Sequence, residues 1–166
     1  MSDSMVTDDS APAAVATTGM LIHRPARDVF EAFVDPAITS TFWFTGGSGR
    51  LRSGATVQWE WAMYGFAVDV RVLAFEQDRR ILIEWAVDTA PTTVEWVFEP
   101  LPDDSTFVTV TNAGFTGTPE EIVRQVSDAA GGFSFTLASL KAYLEHGIEL
   151  NLVRDRFPHG LEGQDG

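Results

Sequence analysis

The sequence contains no cysteine and only three histidines among its 166 residues. The absence of cysteine excludes disulfides, thiolate nucleophiles and cysteine-ligated metal centres, and it suits a reducing compartment, so the cytoplasm is the predicted location. The histidines, His23, His146 and His159, fall at a predicted strand end, at a helix end and in the C-terminal tail. Metal sites and nucleophilic triads need side chains that converge, so we predict neither of them, no cofactor and no catalytic residue.

Basic residues are also scarce, since 11 Lys and Arg stand against 24 Asp and Glu and give a formal net charge of −13. A field of this sign repels phosphate backbones and anionic membrane surfaces, which argues against nucleic acid as a partner. No uninterrupted apolar run approaches the roughly 18 to 20 residues that a membrane helix needs. The first 18 residues also lack the basic and apolar regions of a signal peptide. We therefore predict a soluble protein without membrane insertion.

Aromatic side chains are abundant instead, with 12 Phe and 5 Trp. A chain of this length is long enough to bury them in one core without disulfides or structural metal ions. Residues 1–14 and 160–166 lack apolar periodicity, so we predict a disordered N-terminal tail, a single domain at 15–159 and a frayed C-terminal tail.

Alternation of apolar and polar residues predicts five consecutive half-buried strands in the second third of the chain. The connections between them are short, which predicts an antiparallel meander and excludes a parallel α/β fold. A glycine-rich run at 46–49 lacks the residues of a phosphate-binding loop and is predicted to be a turn. The apolar positions of the five strands lie within residues 57–63, 68–72, 81–87, 94–98 and 108–110.

A further strand and three helices are predicted around this meander. The strand covers residues 15–23, and an amphipathic helix follows at 25–35 and a short one at 37–42. A long helix is predicted from Pro119 to His146, because its apolar residues recur at spacings of three and four between a Thr118 N-cap and a Gly147 C-cap. Its Gly131-Gly132 pair costs about 1 kcal/mol per glycine relative to alanine, which implies a kink or a close approach.

Three stretches of the chain resemble motifs of one known superfamily. DPAITSTFWF from Asp35 is similar to an Asp-Pro segment that ends in Trp-Phe, VTVTNAGF from Val108 is similar to a Leu-Thr-Leu-Thr-His-x-Gly-Phe strand, and GGFSFTLASLKAYLEHG from Gly131 is similar to a Gly-Gly-Trp helix. With the order of elements, they resemble the START-like helix-grip superfamily, also called SRPBCC, over about residues 15–147. Within it they resemble the homologues of the activator of the heat-shock-protein-90 ATPase. Asn112 stands where many relatives have His, and Phe133 where many have Trp.

The resemblance implies an α+β helix-grip fold with a pocket between the curved antiparallel sheet and the long C-terminal helix. Four indoles share the inward register of the strands, which by itself leaves open a cavity or an aromatic-filled core. The resemblance favours a cavity, expected at roughly 300 to 1,000 Å³. Asn112 is the predicted orienting contact in it. The predicted ligand-binding residues are Trp43, Trp59, Trp61, Met63, Val70, Ile83, Trp85, Trp96, Asn112, Phe133 and Leu137.

The preferred functional prediction is the binding of a small hydrophobic molecule by a monomer or homodimer. One alternative is an enzyme of the polyketide cyclase or hydrolase type, which needs an inward acid or base. The inward register of the strands offers Asn112 but no His, Lys or carboxylate, and this favours binding. A second alternative is a co-chaperone-like interaction protein, as the subfamily name suggests. We expect no stimulation of the heat-shock-protein-90 ATPase, because the activator itself has an additional domain.

Overall fold

The fold is a curved antiparallel sheet gripped by a long helix, seen here in a computed structural model that describes residues 13–86 and 90–160. The strands are ordered β1-β7-β6-β5-β4-β3-β2, so the first strand pairs with the last and the others form a meander. This confirms the predicted α+β helix-grip class. The strands are β1 (Ala16–Ile22), β2 (Gly46–Gly47), β3 (Thr56–Trp61), β4 (Phe66–Glu76), β5 (Arg80–Trp85), β6 (Thr92–Pro100) and β7 (Thr106–Ala113).

Among the described residues, four α-helices accompany the sheet, and the longest of them is α3, which runs from Pro119 to His146 as the apolar spacing predicts. Thr118 accepts a hydrogen bond from the Glu121 backbone N–H and the Glu121 side chain reaches back to the Thr118 N–H, which forms a capping box. Gly147 ends the helix with φ of 66°. The other helices are α1 (Ala26–Val34), α2 (Pro36–Thr39) and α4 (Leu152–Asp155). Within the described residues, no helix combines the length and apolarity required to cross a bilayer.

The sheet is covered by two different kinds of packing. Below α1 the core is solid, with the Phe30 ring 5.2 Å from that of Phe75 and 5.3 Å from that of Phe98. Below α3 the buried residues begin only at Phe133 and continue to Leu140, and none of residues 119–132 is buried. The sheet is therefore closed tightly by α1 and by the second half of α3, but not by its first half.

Two local predictions were wrong. The glycine run at 46–49 includes a short edge strand, because Gly46 pairs with Glu60 and Gly47 with Trp59. A Cβ at Gly47 would lie 2.9 Å from the Cβ of Pro36, so the strand fits only without a side chain there. The short second helix ends at Thr39 and not at residue 42, and the chain then turns to place residues 42–44 in the core.

The predicted strand residue Val87 and most of the predicted tails, 1–12 and 161–166, lie outside the described residues.

Candidate functional site

A cavity of about 640 Å³ lies between the inner face of the sheet and the first half of α3. Three groups of side chains surround it, and we name them by position. The aromatic wall comprises Trp43, Trp61, Phe66, Trp85 and Phe133; the helix wall comprises Glu121, Arg124, Gln125, Asp128, Ala129 and Gly132; the closing segment, residues 148–160, contributes Val153, Arg156 and Phe157.

The aromatic wall is a continuous set of ring contacts. Trp61 stacks on Phe66 with centroids 5.1 Å apart, and Trp85 stacks on Phe133 at 6.1 Å. Trp43 joins the two pairs, since its ring lies 5.7 Å from Trp61 and 6.0 Å from Trp85. Trp43 comes from the turn after α2 and Phe133 from α3, so three separate parts of the fold hold this wall rigid.

A small polar cluster interrupts the aromatic lining at the ends of β6 and β7. Asn112 is buried, and its Nδ2 donates to Thr92 Oγ1 at 3.1 Å and to the Thr93 carbonyl at 2.8 Å. The indole N–H of Trp85 donates to the same Thr92 hydroxyl at 3.1 Å. Cross-strand pairing brings these groups together, because Trp85 lies opposite Thr92 and Asn112 lies opposite Val94. Thr92 and Asn112 both line the cavity.

The helix wall is mostly polar. Glu121, Gln125, Asp128 and Gly132 recur at spacings of three and four and therefore share one face of α3. The Gln125 amide donates to the Thr116 carbonyl at 3.0 Å, which fixes the loop before the helix. The inward register of the strands offers no carboxylate, but α3 supplies two to the cavity lining, Glu121 and Asp128. The sequence analysis considered the strands and did not consider this face of the helix.

The closing segment is held over the cavity from two sides. The Tyr64 hydroxyl donates to the Val153 carbonyl, and the Tyr64 ring meets the Phe157 ring edge-on at 5.9 Å. Burial raises the pKa of the Tyr64 hydroxyl above its ordinary value. On the other side, the Arg156 guanidinium lies 5.1 Å from the centre of the Phe135 ring of α3.

The glycine pair of α3 is explained by this arrangement. A Cβ at Gly131 would lie 3.4 Å from a guanidinium nitrogen of Arg156, so the close approach is to the closing segment. A Cβ at Gly132 would meet nothing within 4 Å, because it would point into the cavity. The helix remains continuous through both residues.

The structure brings five of the eleven predicted binding residues to the cavity: Trp43, Trp61, Trp85, Asn112 and Phe133. Met63 lies outside the cavity lining and packs partly buried against the core. The other five do not reach the cavity either; the Trp43 ring lies over two of them, 5.0 Å from Trp59 and 5.8 Å from Trp96. These five core residues, each at most 2% exposed, are Trp59, Val70, Ile83, Trp96 and Leu137.

Several lining residues were missed by the sequence analysis. Thr92 starts β6 opposite Trp85, and hairpin pairing of the two predicted strands was a usable signal for it. Glu121 and Asp128 lie beside the apolar stripe of α3, and that stripe was taken as the inward face. Arg156 and Phe157 belong to a segment whose sequence shows no periodic pattern, so the sequence carried no signal for their position.

A sheet closed by one long helix over a part-apolar cavity defines the helix-grip, START-like class of proteins. Residues 23–145 match the family described as Activator of Hsp90 ATPase homolog 1-like protein, and the chain belongs to that family. Among proteins with curated functions, none matches this sequence.

Solved structures show the same fold. Protein SSP2350 from Staphylococcus saprophyticus is 30% identical, with a TM-score of 0.71 over 82% of this chain and 96% of that one. The Aha1 dimer from Colwellia psychrerythraea is 18% identical, with a TM-score of 0.69 over 81% of this chain and 98% of that one. The di-domain ARO/CYC protein BexL from the BE-7585A biosynthetic pathway is 18% identical, with a TM-score of 0.71 over 80% of this chain and 46% of that one.

Proposed function

We propose that this protein binds a small, largely aromatic molecule in the cavity between the sheet and α3. The observation that carries the proposal is the cavity itself, since about 640 Å³ lies within the range of small-molecule sites. Its lining has the composition of such sites, with a continuous aromatic surface and a few placed polar groups.

The rigidity of the aromatic wall supports binding rather than simple core packing. Each of Trp43, Trp61, Trp85 and Phe133 is between 4% and 8% exposed, so its ring is held by neighbours and presents only an edge or part of a face to the cavity. A preformed apolar surface of this kind costs little conformational entropy when a ligand binds. It therefore favours a flat, rigid ligand that can lie against the rings.

Filling the cavity from Gly132 tests the proposal. Gly132→Trp places an indole where a Cβ meets nothing within 4 Å, so the helix accepts it and the cavity loses its space. We expect wild type to bind 2-acetylnaphthalene in isothermal titration calorimetry and Gly132→Trp to lose measurable binding. Both proteins should unfold cooperatively at similar temperatures.

Gly132→Ala is the matched control. It removes the same glycine and adds about 1 kcal/mol of helix propensity, but it fills almost none of the cavity. We expect it to bind 2-acetylnaphthalene as wild type does. Equal binding by Gly132→Trp contradicts the proposal, and so does a folded wild type that binds neither 2-acetylnaphthalene nor its carboxamide analogue, 2-naphthamide.

An enzyme of the polyketide cyclase type is the second candidate. Two carboxylates, Glu121 and Asp128, line the same cavity as the aromatic wall, and a carboxylate beside a bound carbon acid can act as a base. BexL, which is named as an ARO/CYC protein, shares the fold. We place this function second because Glu121 is engaged in the capping box and both side chains are exposed, whereas catalytic carboxylates are tuned by burial. The co-chaperone alternative has only the family name in its support, and we do not propose it.

A further inference from the structure

The cluster of Thr92, Asn112 and Trp85 contains hydrogen-bonding groups that are not paired with each other, and these groups specify the polar edge of the ligand. Asn112 Nδ2 faces the Thr93 carbonyl, which can only accept, so the amide orientation is fixed without ambiguity. The amide oxygen, Oδ1, is therefore directed away from Thr93. In the described part of the chain, no hydrogen bond reaches it.

That oxygen keeps some solvent-accessible surface. Among the described residues, the side-chain polar atoms that have neither solvent-accessible surface nor a hydrogen-bond partner are Trp96 Nε1 and Ser139 Oγ. Asn112 Oδ1 does not belong to this group. Asn112 lines the cavity and is otherwise buried, so we assign the accessible surface of its oxygen to the cavity, where it can accept a hydrogen bond from a ligand.

The Thr92 hydroxyl supplies the complementary group. A hydroxyl has two lone pairs and one hydrogen, and here both lone pairs are used, one by the Trp85 indole N–H and one by Asn112 Nδ2. The hydroxyl can act towards a third partner only as a donor. No acceptor for it lies among the residues that the structure describes, and Thr92 also lines the cavity.

The donor and the acceptor lie close together. Nδ2 is 3.1 Å from Thr92 Oγ1, and the oxygen and nitrogen of one amide are about 2.2 Å apart from standard bond lengths, so Oδ1 and Oγ1 are at most about 5.3 Å apart. A planar group that carries an acceptor and an N–H or O–H donor side by side can bridge them. Its acceptor receives the Thr92 hydrogen while its donor binds Asn112 Oδ1.

We propose that the ligand of this cavity carries a primary carboxamide, a lactam or a chemically equivalent donor–acceptor edge on an aromatic body, and that Thr92 and Asn112 select it. The inference rests on the proposed function, because it names the ligand class of the same cavity. The aromatic wall holds the ring system, and the polar cluster fixes which edge of it points to the ends of β6 and β7.

The test compares two probes of nearly the same shape, 2-naphthamide and 2-acetylnaphthalene, by isothermal titration calorimetry. They differ by NH₂ against CH₃, so only the amide offers a donor to Asn112. An amide without a partner is disfavoured in an apolar cavity because it leaves water, and an unspecific cavity should therefore prefer the ketone. We expect wild type to bind 2-naphthamide about tenfold more tightly, as a satisfied donor in a desolvated site permits.

Two variants of Thr92 assign the selectivity. Thr92→Val keeps the shape and removes the hydroxyl, so Asn112 Nδ2 loses the acceptor that helps to hold Oδ1 towards the cavity. We therefore expect the preference of this variant for the amide to fall to about threefold or less. Thr92→Ser keeps the hydroxyl and should retain the wild-type preference. If Thr92→Val fails to fold, the preference of wild type between the two probes still tests the assigned ligand class.

The outcomes separate the two proposals. Binding of the ketone with equal or higher affinity than the amide overturns the assigned ligand class and leaves the binding function standing. Retention of the full amide preference by folded Thr92→Val overturns the role of Thr92. Absence of binding for both probes overturns the proposed function and the further inference with it.

Discussion

The Tyr64 hydroxyl should control how often the closing segment opens. Tyr64→Phe removes the donor to the Val153 carbonyl and its weaker contact with the Arg154 carbonyl at 3.2 Å, while the ring contact with Phe157 at 5.9 Å remains. A neutral hydrogen bond contributes about 1 kcal/mol net, and the two carbonyls can rebind water when the segment opens. The local opening equilibrium should therefore rise about fivefold, with little change in global stability.

Native-state hydrogen exchange can measure this directly. The amide protons of Asp155 and Arg156 are held by the Asn151 and Leu152 carbonyls at 2.9 and 3.0 Å, so they report the opening of the segment. We expect both to exchange about fivefold faster in Tyr64→Phe, which corresponds to the loss of about 1 kcal/mol. Amides within α3 should exchange at the wild-type rate.

Tyr143 provides a matched control, because it is the other tyrosine of the chain and its hydroxyl makes no hydrogen bond within the described residues. Tyr143→Phe should leave the exchange of Asp155 and Arg156 unchanged. Unchanged exchange in Tyr64→Phe would refute the reasoning, and so would a uniform acceleration that includes α3, because that would indicate global destabilisation.

Two further predictions concern stability. Burial opposes ionisation of Glu145, but hydrogen bonds from Lys141 at 2.7 Å and from the His23 backbone N–H at 3.2 Å outweigh it and lower the pKa of this carboxyl. The folded-state pKa lies below the unfolded value of 4.5, so this stabilisation is present above that pH and is lost as the pH falls through the lower, folded value. Urea unfolding should show Glu145→Gln about 1 kcal/mol less stable at neutral pH and less sensitive to acid than wild type, and an identical acid dependence would contradict this. Deletion of residues 1–14 and 160–166 should leave Tm within a few degrees in a thermal melt, since these residues lack apolar periodicity; a larger drop would show that a deleted part is docked.

Much of the fold could be predicted from the sequence, because its signals are local. The alternation of Trp59 and Trp61 with Gln58 and Glu60 specifies which face of β3 is buried, and pairing with β4 follows from the short connection. The bounds of α3 follow from its capping box and its C-terminal glycine. Glycine, by contrast, was misleading at Gly47, where it permits a close approach to Pro36 rather than a turn.

The candidate site was predictable only in part, because a cavity is defined by what does not pack. Strand register showed that Trp59, Trp85 and Trp96 face inward, but not which of them another side chain covers. That depended on Trp43, which arrives from the turn after α2 and fills the space over Trp59 and Trp96. The closing segment depends on long-range contacts, such as that of Tyr64 with Val153, for which the sequence gives no periodic signal.

The cavity persists because the free energy gained by burying its aromatic surface would be smaller than the free energy lost by desolvating the polar groups of the helix wall. Four members of the aromatic wall keep 4% to 8% of their surface exposed, together about 60 Å², and burying that area would gain about 1.5 kcal/mol. The half-buried Phe66 raises this gain to about 3 kcal/mol at most. Collapse would bring Asp128 of the helix wall against the indoles, and desolvating that carboxylate without a partner costs several kcal/mol.

The polar face of the first half of α3 therefore keeps that half away from the sheet, and Gly132 supplies no side chain that could fill the gap. The same two free-energy contributions, burial of aromatic surface and hydration of the carboxylates, determine which ligand fits the cavity. A flat aromatic molecule can cover the exposed ring edges while its polar edge meets Thr92 and Asn112 and the carboxylates of the helix wall keep their water.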